Sequence, residues 1–295
     1  MTTYSIALLG FGEVGQTFGA DLGVHRLQAF DICFGDAASG PSRAIRGTGI
    51  RCCDSAAELV AGCDIVVSAV TPGEAENAAA SIAAGLGGGT WVMDVNSTSP
   101  GARQRAADIV ESAGGRYVEA AIMAPVAAAR IASPILLGGP HAGRFEAIAS
   151  SVGFAGAQRY DDTLGRVAAT KLCRSVVVKG LESLVTEALL AGRHYGVEAA
   201  VVESLANLFE ASGRDDWPHY LISRSLRHGA RRAAEMREAA ATVADAGVEP
   251  LMSHACALRQ AQTARLASAL DHAELGGLLD AMRCTGAREE AGRTC

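Results

Sequence analysis

Six residues near the start of the chain, Gly10-Phe11-Gly12-Glu13-Val14-Gly15, have the types and spacing to hold a pyrophosphate. They follow an apolar run, YSIALL at 4–9, and open a helical stretch reaching about Leu22. In such a turn the first glycine permits the tight reversal, the second lets backbone approach the phosphates, and the third brings helix and strand together. The helix start then presents free N–H groups and partial positive charge. Asp31 stands sixteen residues past Gly15, in a second strand expected over Leu27–Phe34. A carboxylate there can accept both ribose hydroxyls of a dinucleotide and would repel a 2′-phosphate, which favours NAD. Arg43 and Arg46 in the following loop are the opposing signal and keep NADP as the alternative cofactor. The competing structural roles are a ligand-free turn and a plain strand-end aspartate.

Other reactive groups fall later in the chain. Asn96, Ser97 and Thr98 end a strand, where open α/β sheets bind ligands, while Ser99 ahead of Pro100 fits a helix N-cap. Lys171 lies near the start of a long apolar stretch, with Arg174 and Ser175 beside it, and it competes with the reading of a solvated lysine on a first helical turn. Arg224, Arg227, His228, Arg231 and Arg232 form the densest basic cluster, either an anion-facing surface or a solvated face paired with Glu235 and Glu238. Asp215-Asp216-Trp217-Pro218 carries acids without matching histidines, so no metal site is expected.

These residues need elements to place them. Strands are expected at 4–9, 27–34, 64–70, 90–95, 116–120 and 135–137. Helices are expected between them and at 142–152, with 40–50 a weakly structured connection. This alternation predicts parallel βαβ units with crossovers on both faces. From Gly165 onward only helices are expected, broken near Gly196, Gly213 to Pro218 and Gly247 to Pro250, with a polar, frayed final dozen residues. The stretch Gly165–Tyr195 is apolar on several faces, which predicts a helix buried between other elements, and Gly180 predicts another backbone packed close to it. The fold class is therefore α/β, a Rossmann-type doubly wound sheet domain over 1–163 followed by an all-α domain over 164–295, linked by a long helix.

At 295 residues the chain is long for one core, and its 49% apolar and 20% charged composition is ordinary for a globular protein. A net charge of −6 gives no general attraction to nucleic acid or anionic membrane. Eight cysteines without a CxxC pair, together with the lack of a signal peptide, favour reduced thiols and a cytoplasmic location. No apolar run reaches membrane-spanning length, so no membrane partner is expected.

The order of motifs resembles the β-hydroxyacid dehydrogenase family, which includes 3-hydroxyisobutyrate and 6-phosphogluconate dehydrogenases. The resemblance rests on GFGEVG at 10–15, Ser68-Ala69-Val70-Thr71, Asp94-Val95-Asn96-Ser97-Thr98-Ser99-Pro100, Tyr117-Val118-Glu119-Ala120, and Gly165 six residues before Lys171. It spans nearly the whole chain and is similar to a branch with AAIMAPV, KxxRSxxxKGLE and RHGxRRAxEM. It implies that Gly10, Phe11, Gly12, Glu13, Val14, Gly15, Asp31, Val70, Thr71 and Asn96 hold the cofactor, and that Lys171 is the general acid/base. Oxidising an alcohol requires removing its hydroxyl proton, and the reverse requires protonating a carbonyl oxygen. A lysine near neutral pKa does both. Ser97, Thr98, Met123, Arg174, Ser175, His228 and Arg231 become substrate-binding candidates, and a homodimer or higher oligomer is implied.

Two departures bear on the substrate, expected to be a small molecule carrying a carboxylate. Met123-Ala124-Pro125 replaces the family's Ser-Gly-Gly loop, and Arg174 and Ser175 replace its asparagine beside the lysine. The first turns a polar loop apolar and rigid. At the second, a guanidinium can bind a carboxylate bidentately or lower the pKa of Lys171, and together they lead to the expectation of a bulkier or more apolar hydroxy acid. The alternatives are a non-catalytic dinucleotide-binding protein that senses redox state, and imine reduction on the same fold.

Overall fold

The apolar run that opens the chain forms β1 (Ser5–Leu9), and the glycine loop leads from it into α1 (Glu13–Asp21). The computed structural model describes residues 2–210 and 217–291. After α1 come β2 (Arg26–Phe30), α2 (Gly40–Ile45), β3 (Arg51–Cys52), α3 (Ala56–Val60), β4 (Ile65–Ser68) and α4 (Ala75–Ala83). They are followed by β5 (Trp91–Asp94), α5 (Pro100–Ser112), β6 (Arg116–Ile122), α6 (Val126–Ala129), β7 (Ile135–Gly138), α7 (Ala142–Val152) and β8 (Ala157–Asp161). All eight strands join one sheet in the order β3-β2-β1-β4-β5-β6-β7-β8. Its two faces bury separate apolar clusters. Ile6 and Leu8 of β1 point into one, and Ala7 and Leu9 into the other. A strand covered on both sides is apolar at every position, as the opening run is.

The expected parallel order holds from β3 to β6 and then changes. β7 runs antiparallel to β6, with Ile122 opposite Ile135, and β8 is parallel to β7. The connection from β6 to β7 contains the one-turn α6 and a 3-10 turn over Arg130–Ala132, too short to carry the chain back for a parallel strand. β2 stops at Phe30, short of the expected Phe34, because the Asp31 carboxylate accepts the Cys33 N–H at 2.9 Å and starts a 3-10 turn over Ile32–Gly35. The 40–50 connection is more ordered than expected: Ser39 caps α2, and β3 follows it.

The remainder is helical among the described residues: α8 (Arg166–His194), α9 (Glu198–Glu210), α10 (Trp217–Asp245), α11 (Leu251–Ala264) and α12 (Leu275–Ala291). The breaks near Gly196 and Gly247–Pro250 fall where expected, and the one at 213–218 lies largely outside the described residues. α12 continues to Ala291, so the tail expected to fray is helical up to that point. The chain divides into two compact units, Met1–Val176 and Val177–Cys295, and the division falls inside α8. Within the second unit α10 packs on α11, and Gly229 permits the close approach: a Cβ there would stand 2.4 Å from the Gln260 carbonyl oxygen.

The α8 expectation needs correcting. Val176 is 74% exposed and Leu190 54%, and Val177, Leu181 and Leu184 are exposed as well. Nothing lies within 4 Å of a Cβ at Gly180. Among the described residues these apolar side chains of α8 are left exposed. No helix among the described residues is long and apolar enough to cross a membrane.

Candidate functional site

The sheet reverses its winding between β1 and β4, and the glycine loop sits at the carboxyl ends of these two strands. Gly10 is at φ +93°, and a Cβ there would stand 2.4 Å from the Ala69 carbonyl oxygen beyond β4. A Cβ at Gly15 would stand 2.2 Å from the Gly10 oxygen. A side chain at Gly12, by contrast, would meet nothing within 4 Å. Two of the three glycines are thus required by the protein's own packing, and the third leaves open space where a ligand would approach. α1 has no side-chain N-cap, so its first N–H groups remain free for an anion. Glu13 is exposed and Val14 half-buried on this first turn.

Asp31 is drawn into the loop itself. Its Oδ2 accepts the Phe11 N–H at 2.8 Å, while Phe11 is buried beneath. A cavity of about 660 Å³ opens at this point, lined among others by Gly10, Gly12, Asp31, Ile32, Val70 and Thr71. Its charged lining residues are Asp31, Asp54 and Glu74, with no lysine or arginine. Arg43 and Arg46 do not line it; they donate to the backbone oxygens of Ala38 and Ala37. The cavity has what a dinucleotide needs: a tight glycine turn, an open approach at Gly12, free helix N–H groups and an acidic strand end. These residues fit a nicotinamide dinucleotide.

Asn96 is 3% exposed and does not face open space. Its Oδ1 accepts the Val70 N–H at 2.6 Å and its Nδ2 donates to Ser68 Oγ at 3.0 Å, so it ties the ends of β4 and β5 together. Ser97 is half-buried. Thr98 is 6% exposed, and its Oγ1 has no hydrogen-bond partner. Ser99 caps α5 by accepting the Ala102 N–H at 3.3 Å, as its place before Pro100 predicts.

Beneath this edge lies a buried ionic group that the sequence reading missed. Arg103, 1% exposed, pairs with Asp94 at 2.7 Å and donates to the backbone oxygens of Asp94, Asn96 and Ala120. Tyr117 Oη donates to Asp94 Oδ2 at 2.8 Å, and burial followed by the Asp94 charge pushes this phenol well up. Burial acts to lower the Arg103 pKa, but Asp94, Tyr117 and Glu119 outweigh it and raise it, so the guanidinium stays charged. One signal was available in the sequence: Arg103 falls in helical phase with Ala106, Ala107 and Val110, all buried.

Met123 directly follows β6, its N–H donating to the Pro134 oxygen at 2.9 Å. Lys171 and Ser175 are half-buried on α8 and Arg174 is exposed; all three fall in the first unit. None of them lines the cavity. Lys171 and Lys179 are the only lysines among 26 lysine and arginine residues. His228 and Arg231 lie on α10 in the second unit, both exposed, with Arg231 paired to Glu235 at 2.7 Å. Arg224 donates to Tyr220 Oη, and the half-buried Arg232 is lowered by burial and then by Arg224 and Arg231.

Residues 5–160 match the family model described as the NAD binding domain of 6-phosphogluconate dehydrogenase. The chain belongs to that family. Residues 193–263 match a second model, a domain of unknown function named DUF1932. Among solved structures, a conserved hypothetical protein from Sinorhizobium meliloti 1021 is 32% identical, with 96% of this chain and 97% of the other covered and a TM-score of 0.58. An imine reductase from Streptomyces aurantiacus is 18% identical over 94% of this chain and 99% of the other, with a TM-score of 0.69. The 3-hydroxyisobutyrate dehydrogenase of Mycobacterium tuberculosis is 20% identical over 96% and 99%, with a TM-score of 0.59. A search of curated proteins gives no match. The sheet, the glycine loop and the family together make this an NAD(P)-dependent oxidoreductase fold with a nicotinamide cofactor.

Proposed function

We propose that the protein is an NAD-dependent dehydrogenase or reductase acting on a hydroxy acid or related alcohol, with Lys171 as general acid/base. The observation that carries the cofactor half is the cavity at the β1–β4 reversal, where Gly12 is open and every charged lining residue is a carboxylate. That lining, and the engagement of Arg43 and Arg46 with backbone oxygens, supports NAD over NADP. Gly10, Gly12 and the first N–H groups of α1 would hold the pyrophosphate, Asp31 the ribose, and Val70 and Thr71 the wall beyond them. When bound, the cofactor supplies the hydride donor or acceptor.

The chain's own residues supply the rest. Lys171 takes or gives the hydroxyl proton, a role arginine cannot fill because it stays protonated. The unpartnered Thr98 hydroxyl and its neighbour Ser97 offer polar contacts to the substrate, and Arg174, Ser175 and Met123, which belong to the same unit, are candidates for its carboxylate and apolar portions. The helical domain at 164–295 follows the cofactor domain at 1–163, and the exposed apolar side chains of α8 support a homodimer formed along that helix.

The test is a thermal-shift titration with NADH and NADPH on the purified protein, followed by a panel of hydroxy acids and cyclic imines with Lys171→Ala as control. Stabilisation by NADH of about 2.7 kcal/mol at a hundredfold excess over Kd is expected. No shift with either nucleotide would refute the cofactor assignment.

A further inference from the structure

The first turn of α8 has no capping side chain of its own: the residue ahead of it is Gly165, at φ +89°. A distant carboxylate takes that role. Glu119 of β6 accepts the Gly165 N–H at 2.7 Å through Oε2 and the Ala168 N–H at 2.6 Å through Oε1. Glu119 has no exposed surface, and a carboxylate persists in such a place only when its oxygens are engaged. The surroundings leave it one seat. A Cβ at Gly138 on β7 would stand 3.0 Å from Glu119 Oε2 and 2.7 Å from Val167 Cγ2, so that strand must be bare for the acid and the helix to meet. On the other side, a Cβ at Gly165 would stand 3.0 Å from Cβ of Pro100, at the start of α5.

Lys171 follows Ala168 by three residues, less than one turn, and therefore lies on the same side of α8. We propose that Glu119 is the positioning residue of Lys171, fixing where α8 starts and setting the charge that balances its N-terminus. Two effects follow. The clamp fixes the backbone start of the helix that carries the amine, inside the exposed anchors that Arg166 makes to Asp161 at 2.9 Å and Thr170 to the Tyr160 hydroxyl at 3.2 Å. The buried anion also offsets the partial positive charge of the helix end, which otherwise disfavours a nearby ammonium. Arg103 on α5 feels the same carboxylate but is itself paired with Asp94, and Arg166 on the first turn of α8 is paired with Asp161. The inference rests on the acid/base role proposed for Lys171 but not on the identity of the substrate.

The chain's two lysines make the test direct. Reductive methylation with [13C]formaldehyde gives two lysine side-chain resonances, which Lys179→Arg assigns. Glutamine at 119 keeps the shape but offers one acceptor and one donor, so it can satisfy only one of the two N–H groups. In Glu119→Gln the Lys171 resonance is expected to titrate at lower pH than in the wild type, while Lys179 does not move. Glu119→Asp keeps the charge and both acceptors one methylene short and is expected to shift Lys171 less. Amide exchange at Gly165 and Ala168 should accelerate about tenfold to a hundredfold in the glutamine variant, the scale of one charge-assisted hydrogen bond. An identical Lys171 titration in wild type and in folded Glu119→Gln overturns the proposal. If the glutamine variant does not fold, wild-type exchange decides. Protection at Gly165 and Ala168 supports the clamp, and exchange at the rate of an open helix end rejects it. Failure of the acid/base reading would appear elsewhere, as full turnover by Lys171→Ala.

Discussion

Asp31 Oδ2 accepts the backbone N–H of Phe11 at 2.8 Å, so the acidic end of β2 and the glycine loop after β1 are one hydrogen-bonded unit. The carboxylate's other oxygen takes the Cys33 N–H at 2.9 Å, which fixes its plane. In the proposed NAD-binding role, an acid placed in this way would discriminate between dinucleotides by geometry as well as by charge. Asp31→Ala is expected to weaken NADH binding about tenfold or more and to leave NADPH binding unchanged or improved, read by nucleotide fluorescence titration. Equal losses for both nucleotides would assign Asp31 to loop structure alone.

The three loop glycines should separate under substitution. Gly10→Ala places a methyl 2.4 Å from the Ala69 oxygen at a positive φ, so it should lower the melting temperature and abolish NADH binding together. Gly12→Ala meets open space and should keep the melting temperature of the wild type while weakening NADH. Differential scanning fluorimetry with and without NADH reads both. A stable Gly12→Ala protein with undiminished NADH affinity would remove the phosphate from that position.

Lys171→Ala should reduce kcat by a factor of about 10²–10⁴ on whichever hydroxy acid or imine turns over, with the NADH dissociation constant unchanged. Lys179→Ala, further along α8, should change neither. Steady-state kinetics and nucleotide titration on the two variants give the comparison.

Glu187 links α8 to α11, accepting the N–H groups of Met252 at 2.7 Å and Ser253 at 2.9 Å and the Ser253 hydroxyl at 2.6 Å. Burial acts to raise its pKa, but the Ser253 hydroxyl, the two N–H groups and His254 together bring it below the ordinary value. A depressed folded pKa means that the group stabilises the fold above its unfolded value, about 4.3. That stabilisation disappears as pH falls through the lower, folded value. Glu187→Gln should therefore cost stability at neutral pH and flatten the acid limb of the unfolding curve, measured by urea denaturation at several pH values. An acid limb unchanged by the substitution would contradict this assignment.

The exposed valines of α8 give a prediction about assembly. Val176→Asp combined with Val177→Asp should turn a dimer into a monomer in light scattering and leave NADH binding in place. A wild-type protein that is monomeric at micromolar concentration would reject the proposed interface.

Much of this was legible in the sequence because it is local. The glycine loop, the Ser99 cap and the buried β1 are decided by residues within one turn of each other, so order along the chain is enough. The antiparallel β7 was not legible, because it depends on α6 being a single turn, and a run such as PVAAAR does not state its own helix length. Arg103 was readable only as a helical arginine until Asp94 and three backbone oxygens were seen around it. Glu119 was legible only as part of the Tyr117-Val118-Glu119-Ala120 motif, because its partners are 46 and 49 residues away. α8 is the opposite case: its apolar residues stand where the sequence shows them, but apolar composition does not say what covers a helix, and Val176 is exposed among the described residues.

Both lysines of the protein stand on α8. A lysine-specific protease can therefore sever this chain only within that helix, and a folded helix does not fit such an active site. The rate of cutting is a clock for the opening of α8 alone, undisturbed by fraying at the termini or in loops. Timed with and without NADH, it reports whether a nucleotide on the glycine loop steadies the helix that carries the amine.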